Sequence, residues 1–168
     1  SNIALDVTAQ TAGINTVNIE TATANSTVNV SEFTTTGVNI TGGTANDNLT
    51  GGSAADSITG GDGADTIAGA DGADSLAGGN GNDIFLYTSE AQLENGSSLI
   101  DSTIDGGANT DRISVADGLT IANTVSFANA TSIEELYVTG TAASNIALDV
   151  TAQTAGINTV NIETATAN

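Results

Sequence analysis

The chain has 168 residues and carries one Lys or Arg against twenty Asp and Glu, a formal net charge of −19 at pH 7. This charge repels nucleic acid and anionic membrane surfaces and makes cations the expected partners. Neither Cys nor His is present, which excludes disulfides, thiolate metal sites and the usual general base of nucleophilic catalysis. We therefore predict no enzyme and no catalytic residues. No apolar run approaches the length that spans a bilayer, so direct membrane insertion is not expected.

The chain opens with a segment that returns at its other end. Residues 1–25 and 144–168 both read SNIALDVTAQTAGINTVNIETATAN, with an offset of 143 residues. One interpretation is a domain with duplicated ends. The other, which we favour because repeat arrays accumulate such identity, is a tandem array in which residues 144–168 start the next copy. The array predicts end-to-end copies or self-association. Because Ser1 already lies in repeat-like sequence, no cleaved signal peptide is expected.

Residues 1–41 show short alternating apolar groups that are typical of β-strands. The groups are Ile3, Leu5 and Val7; Val17 and Ile19; Val28 and Val30; Val38 and Ile40. The groups that begin at Val17, Val28 and Val38 follow one another at intervals of 11 and 10 residues. Short strands at near-constant spacing predict an all-β parallel solenoid, in which these residues form coils wider than those that follow. A sandwich of antiparallel strands is the alternative.

Residues 42–86 divide into five consecutive nine-residue units: GGTANDNLT, GGSAADSIT, GGDGADTIA, GADGADSLA and GGNGNDIFL. The sixth position is always aspartate: Asp47, Asp56, Asp65, Asp74 and Asp83. The eighth is always large and apolar: Leu49, Ile58, Ile67, Leu76 and Phe85. Glycines permit tight turns with φ > 0, and alternation along the short strand turns the eighth residue inward. Turns that offer carboxylate and carbonyl oxygens suit calcium, which binds about six to eight oxygen ligands.

This block resembles the calcium-binding nonapeptide GGxGxDxUx of RTX (repeats-in-toxin) proteins. The resemblance implies a calcium β-roll in which two units complete one coil, so that each unit stacks on the next but one. The implied sites lie between Asp47 and Asp65, between Asp65 and Asp83, and between Asp56 and Asp74. If the stack continues unbroken, Asp111 lies beyond Asp74 and offers a fourth site. The third-position residues are secondary candidates, because the family mainly uses their backbone carbonyls: Asp62, Asp71 and Asn80.

Three units depart from the motif. Ala45 and Ala54 replace the second glycine of the turn in units one and two, and Ala70 replaces a glycine in unit four. Units three and five should therefore have the best turns, followed by unit four, and sites that use units one and two should be weaker or incomplete. Stacked carboxylates repel one another without a cation, so we expect the block to be disordered without calcium and to fold when calcium binds.

The nine-residue rule breaks after the block. We expect residues 87–105 to form an irregular excursion from the stack, with a helical turn near residues 89–94 capped by Ser89. Residues 106–114 (GGANTDRIS) read as a degenerate sixth unit, with Asp111 and Ile113 in the key positions. Further apolar alternation predicts that residues 106–143 add solenoid coils before the second copy begins.

These patterns predict a calcium-rigidified structural repeat of a secreted bacterial surface protein, such as a surface layer (S-layer), an extracellular filament or an adhesin stalk. The flanking strands SIEELYVTG and INTVNIETA are loosely similar to strands of surface-layer proteins with RTX blocks. The alternative is a calcium-dependent folding and secretion module of a secreted RTX enzyme or toxin. Outward Thr, Ser and Asn also resemble ice-binding solenoids, although they suit any exposed β face. The expected location is the bacterial cell surface, reached by type I secretion without a cleaved signal peptide.

Overall fold

The structure is a computed structural model that describes residues 2–93, 101–116, 126–139 and 150–163. Within these residues the chain forms two sheets, one of eight strands and one of six. Every pair of neighbouring strands is parallel. The parallel β-solenoid predicted from the spacing of the strands is confirmed, and the antiparallel sandwich is wrong.

Strands alternate between the two sheets as the chain winds. The eight-stranded sheet contains β1 (Asn2–Ala4), β3 (Thr27–Asn29), β5 (Asn48–Thr50), β7 (Thr66–Ala68), β9 (Ile84–Tyr87), β11 (Arg112–Val115), β13 (Glu135–Thr139) and β14 (Thr159–Glu163). The six-stranded sheet contains β2 (Thr16–Asn18), β4 (Asn39–Thr41), β6 (Ser57–Asp62), β8 (Ser75–Asn80), β10 (Thr103–Ala108) and β12 (Ala130–Thr131). Both sheets run from the flanking coils through the nonapeptide coils, so the expected segments are parts of one stack.

The core is a thin layer of apolar side chains between the two sheets. In the eight-stranded sheet the inward residues are in register, in the order Val28, Leu49, Ile67, Phe85, Ile113 and Leu136. In the six-stranded sheet the order is Val17, Ile40, Ile58, Leu76 and Ile104. All are buried, and burial of each such side chain stabilises the fold by about 1.5–3 kcal/mol. The eighth position of the nonapeptide therefore forms the core.

Short helices interrupt the coils at three places in the described chain: α1 (Val7–Thr11), α2 (Glu90–Leu93) and α3 (Val150–Ala155). The strand expected over Ile3, Leu5 and Val7 is correct only as far as Ala4. Asp6 ends it, because its side chain accepts hydrogen bonds from the backbone N–H groups of Thr8 and Ala9 and caps α1. The helical turn expected near residues 89–94 is present as α2, with the Ser89 hydroxyl accepting from the Gln92 N–H at 3.2 Å.

The excursion expected over residues 87–105 is wrong at both ends of that range. Tyr87 is the last residue of β9, and Thr103 begins β10, which pairs with β8 so that Ile104 lies opposite Leu76. Residues 103–108 thus supply the next strand of the six-stranded sheet. Residues 94–100, and the apolar positions expected between residues 117 and 125, lie outside the described residues.

Candidate metal centre

The sixth-position aspartates and Asp101 form two columns. Column one precedes the strands of the eight-stranded sheet and contains Asp47, Asp65, Asp83 and Asp111; column two precedes those of the six-stranded sheet and contains Asp56, Asp74 and Asp101. All seven side chains are buried. The structure thus brings together the three pairs expected from the two-per-coil stacking. Their role as calcium ligands stays a prediction.

Within each column, a backbone N–H donates to Oδ1 of the aspartate one coil further on. The distance is 2.8 Å from Asp47 to Asp65, from Asp65 to Asp83, from Asp83 to Asp111 and from Asp56 to Asp74, and 3.1 Å from Asp74 to Asp101. Charge-assisted hydrogen bonds of this kind are stronger than neutral ones. Each carboxylate therefore fixes the register between two successive coils.

Four of these carboxylates, within the part of the chain that the structure describes, keep Oδ2 buried without a hydrogen-bond partner: Asp65, Asp74, Asp83 and Asp111. We call these the open carboxylates. An unpartnered buried carboxylate oxygen is costly, because it has lost water and gained no donor. A cation that takes oxygen ligands would offset that cost.

In units three and five, the first glycine lies beside the open oxygen. A Cβ atom on Gly60 would lie only 2.3 Å from Oδ2 of Asp65, and one on Gly78 only 2.3 Å from Oδ2 of Asp83. The same Cβ on Gly60 would lie 2.6 Å from the carbonyl oxygen of Gly78. Glycine at this position is therefore required sterically, and the space is bounded by carboxylate and carbonyl oxygens.

In units one and two, backbone N–H groups donate to both oxygens of the aspartate. Oδ2 of Asp47 accepts from the Gly43 N–H at 2.8 Å, and Oδ2 of Asp56 accepts from the Gly52 N–H at 2.6 Å. Their Oδ1 atoms accept from the backbone N–H groups of Ser26 and Val38. Both oxygens of each side chain are thus satisfied, and that these units form weaker or incomplete calcium sites stays a prediction.

Backbone conformation separates the two kinds of turn. Units three and five have positive φ at both the second and the fourth position, at Gly61 (113°), Gly63 (113°), Gly79 (112°) and Gly81 (132°). Unit four shares this conformation, with Ala70 at 72° and Gly72 at 134°. Ala45 and Ala54 lack a positive φ, because a Cβ makes that region costly. In the same turns Gly43 and Gly52 also lack a positive φ, and their N–H groups donate to the carboxylates.

The unit at residues 106–114, expected to be degenerate, has the regular turn. Gly107 has a φ of 98° and Asn109 a φ of 92°. Asn tolerates this region better than most residues with a side chain. The sequence signal for a well-formed turn is therefore a residue that accepts positive φ at each position, and Asn109 meets it without being glycine.

Burial raises the pKa values of the open carboxylates. The pKa of Asp65, Asp83 and Asp111 rises from 3.8 to about 6, and that of Asp74 rises to about 8. Backbone N–H donors act in the opposite direction, and neighbouring carboxylates raise the values further. The cause is loss of water from a negative charge that has negative neighbours, and a bound cation would reverse it.

Asp101, the last aspartate of column two, has a hydrogen-bond donor that the open carboxylates lack. Asp101 accepts at Oδ1 from the Asp74 N–H, and at Oδ2 from the hydroxyl of the buried Tyr87. Burial raises the pKa of Asp101 to about 6 despite these donors, and burial also raises the pKa of Tyr87. The Tyr87 hydroxyl therefore donates to Oδ2 of Asp101, whereas Oδ2 of each open carboxylate has no partner.

Column one ends at Glu134, whose Oε2 accepts from the Asp111 N–H at 2.8 Å. The expectation that Asp111 lies beyond Asp74 is wrong, because Asp111 follows Asp83. The reason is that Asp101 and β10 take the next position in column two and the six-stranded sheet, after Asp74 and β8. Asp101 also departs from the nine-residue rule by one additional residue before the core position, since it lies three positions before Ile104, whereas Asp74 lies two before Leu76.

The third-position residues lie outside the columns. Asp62, Asp71 and Asn80 are all exposed. The Asn80 side chain donates to Asp62 Oδ1 at 2.8 Å, one coil away. Their place as secondary metal ligands stays a prediction.

The donors of the columns fit calcium, a hard cation that takes oxygen ligands. No group of three acidic side chains is close enough to hold a metal ion among residues 2–93, 101–116, 126–139 and 150–163. Each site would therefore combine one or two open carboxylates with turn carbonyls, such as those of Gly60 and Gly78. Calcium would supply the positive charge that two stacked buried carboxylates lack.

Comparison with known families identifies the block. A family model described as the RTX calcium-binding nonapeptide repeat, in four copies, matches residues 41–76 and 59–87. The chain therefore contains RTX repeats, which bind calcium and form β-rolls, and RTX repeat proteins are typically secreted. No curated protein and no solved structure gave a significant match. Among the described residues, no helix has the length and apolar character needed to cross a membrane.

Proposed function

We propose that this chain, whose RTX repeats make it a calcium-binding structural repeat, is a rigid unit of a bacterial surface assembly such as a surface layer, a filament or an adhesin stalk. The observation that carries the proposal is the pair of aspartate columns beside two parallel sheets that both run through the nonapeptide block. The open carboxylates are the weak points of the stack without a cation, and calcium would convert them into cross-links between coils.

Calcium would act on folding before it acts on stiffness. The open oxygens come together only when the coils stack, so the folded chain binds the ion and the unfolded chain does not, and binding stabilises the fold by mass action. Extracellular calcium modules operate at dissociation constants of about 10⁻⁴–10⁻³ M. A chain of this kind stays unfolded in the cytosol and folds after export, which suits type I secretion.

We further propose that the role is not catalytic. The site consists of buried aspartates and turn carbonyls whose hydrogen bonds join coils, and the sequence has no His or Cys to activate a nucleophile. The identical segments at residues 1–25 and 144–168 favour a unit that recurs along a stack over a single secretion module.

The test of this role is the native parent protein. Intact cells are treated with a calcium chelator, and the released proteins are separated and sequenced by mass spectrometry. The proposal expects a released surface protein with many near-identical copies of this sequence. A parent that carries one copy joined to a catalytic domain, and that is found free in the medium, would contradict it and support the secretion module.

A further inference from the structure

The identical segments share a short helix and the turn after it, over residues 7–14 and 150–157. In each, a short helix is followed by a glycine with positive φ, Gly13 at 84° and Gly156 at 105°. In each, the next isoleucine donates its backbone N–H to an alanine carbonyl, Ile14 to Ala9 at 3.1 Å and Ile157 to Ala152 at 3.0 Å. The local fold therefore belongs to the segment and not to its surroundings.

The equivalent strands of the two segments, β2 and β14, pair with neighbours on opposite sides. At the first, β2 pairs with β4, which comes later in the chain; at the second, β14 pairs with β13, which comes earlier. The second segment also accepts the Ile133 N–H at the Ala155 carbonyl (3.1 Å). One segment can therefore be paired on both sides.

The exposed faces of the two segments are complementary. Ile157 is 8% exposed, whereas its counterpart Ile14 is 42% exposed. Ala155 is 2% exposed, whereas its counterpart Ala12 is exposed. The order reverses for the strand: Val17 is 8% exposed and its counterpart Val160 is 40% exposed. Each end leaves open the face that the other end covers.

The covering coil is known for the second segment. A Cβ on Gly156 would lie 3.2 Å from the Ile133 carbonyl oxygen, whereas one on Gly13 would meet nothing within 4 Å. The Phe127 N–H donates to the Thr151 hydroxyl at 2.7 Å, and β13 pairs along the whole of β14. This coil, from Phe127 through β13, covers the face of the second segment. The equivalent face of the first segment, around Ile14, is exposed.

We propose that the face formed by Ala9, Ala12 and Ile14 is the docking site for a second copy of this chain. The second copy contacts it with its own coil from Phe127 through β13, in the place that residues 150–163 occupy here. The occupant is identified by the molecule itself, because an identical segment is already seated on that coil. The docking is the same whether the copies are separate or joined in one longer chain.

The geometry fixes how the copies are related. The first segment lies in the six-stranded sheet and its counterpart lies in the eight-stranded sheet. A docked copy is therefore rotated by half a turn about the stack axis, and its aspartate columns exchange edges. The contact is head-to-tail and does not close on itself, so it generates open filaments. This inference deepens the proposed structural role and rests on it.

The test uses paired substitutions at equivalent positions of the full chain. Ile157→Asp should release residues 150–163 from the coil and open it to another copy, so the weight-average mass from light scattering in calcium should at least double and rise with concentration. Ile14→Asp alone should stay monomeric with unchanged thermal stability. The double variant Ile14→Asp/Ile157→Asp should also stay monomeric, because the incoming face now carries the charge. Ala155→Glu and Ala12→Glu form a second pair with the same logic, should Ile157→Asp fail to fold by circular dichroism.

A pair of cysteine substitutions tests how β13 of one copy aligns with β2 of another. Glu135 lies opposite Thr159 within the chain, so Glu135→Cys/Thr16→Cys can form a disulfide only between copies. In the Ile157→Asp background this pair should give a ladder of cross-linked species on a non-reducing gel. Monomeric opening variants, or a double variant that associates as strongly as Ile157→Asp, would overturn the docking proposal. If the chain instead folds without calcium, the proposed calcium role fails while association of the opening variants still reports on docking.

Discussion

The backbone N–H of Asp65 donates to Oδ1 of Asp83 at 2.8 Å, while Oδ2 of both residues is buried without a hydrogen-bond partner. One oxygen of each carboxylate joins two coils, and the other is left for a cation. Asp47, one coil earlier, uses both oxygens on backbone N–H groups. The columns therefore contain carboxylates that the protein satisfies itself and carboxylates that need calcium.

Asp83→Asn should have opposite effects with and without calcium. In calcium it should lower the affinity by roughly tenfold or more, because a charged ligand is lost. In metal-free protein at about pH 6 it should raise the thermal midpoint, because a buried charge with a raised pKa is removed. Calorimetric calcium titration and thermal melts measure the two effects.

Asp47→Asn and Asp62→Asn are the matched controls for Asp83→Asn. Asp47 has no open oxygen and Asp62 is exposed, so both should change the calcium affinity by less than about threefold. Equal losses of affinity at Asp47 and Asp83 would show that the open oxygen is not the feature that binds calcium.

Acid should stabilise the metal-free chain. The folded pKa values of Asp65, Asp83 and Asp111 are about 6 and that of Asp74 is about 8, all above the ordinary 3.8. The folded state therefore binds more protons than the unfolded state between about pH 4 and pH 8, and its stability falls as the pH rises through that window.

The β signal in circular dichroism should accordingly increase when metal-depleted protein is taken from about pH 8 to about pH 5. In saturating calcium the thermal midpoint should fall over the same range, because protons compete with the ion for the carboxylates. The same direction of change in both solutions would contradict the assignment.

Ala70→Gly should stabilise the calcium-bound protein by about 0.5–1 kcal/mol, because Ala70 has a φ of 72° that glycine adopts without strain. Ala77→Gly, in β8 at an ordinary φ, should destabilise by a similar amount. Chemical denaturation measures both. Destabilisation by Ala70→Gly would mean that its methyl group contributes more through packing than its backbone costs.

Tyr87→Phe should destabilise the protein by about 1–3 kcal/mol, since it leaves Oδ2 of the buried Asp101 without its donor. Asp101→Asn in the same chain should recover part of this loss, because the unpartnered group is then neutral. A double-mutant cycle by chemical denaturation gives the coupling, and additive effects would rule out the pair as an energetic unit.

The nonapeptide core and the columns were readable from the sequence because each depends on one position of a fixed period. The eighth residue is buried because strand alternation turns it inward, and the sixth aspartates stack because every unit has the same length. The hypothesis that units one and two form poorer turns also follows from local chemistry, since Ala45 and Ala54 resist positive φ.

Other features needed information that no single period carries. Asp101 was missed because it departs from the nine-residue rule, and Asp111 was assigned to the wrong column because β10 was counted within an excursion. The strand prediction extends to Val7, the first residue of α1, because apolar alternation does not register that the Asp6 side chain caps a helix there. Glu134 could not be assigned to column one without the spatial order of the coils.

The most direct measurement of the central claim is a calcium titration of metal-depleted chain followed by circular dichroism, with chelator added back at the end. The account predicts little β structure at the start, a cooperative gain as calcium binds at the open carboxylates, and full reversal by chelator. A β signal that is complete without calcium at neutral pH and does not change on addition or removal of the ion would contradict it.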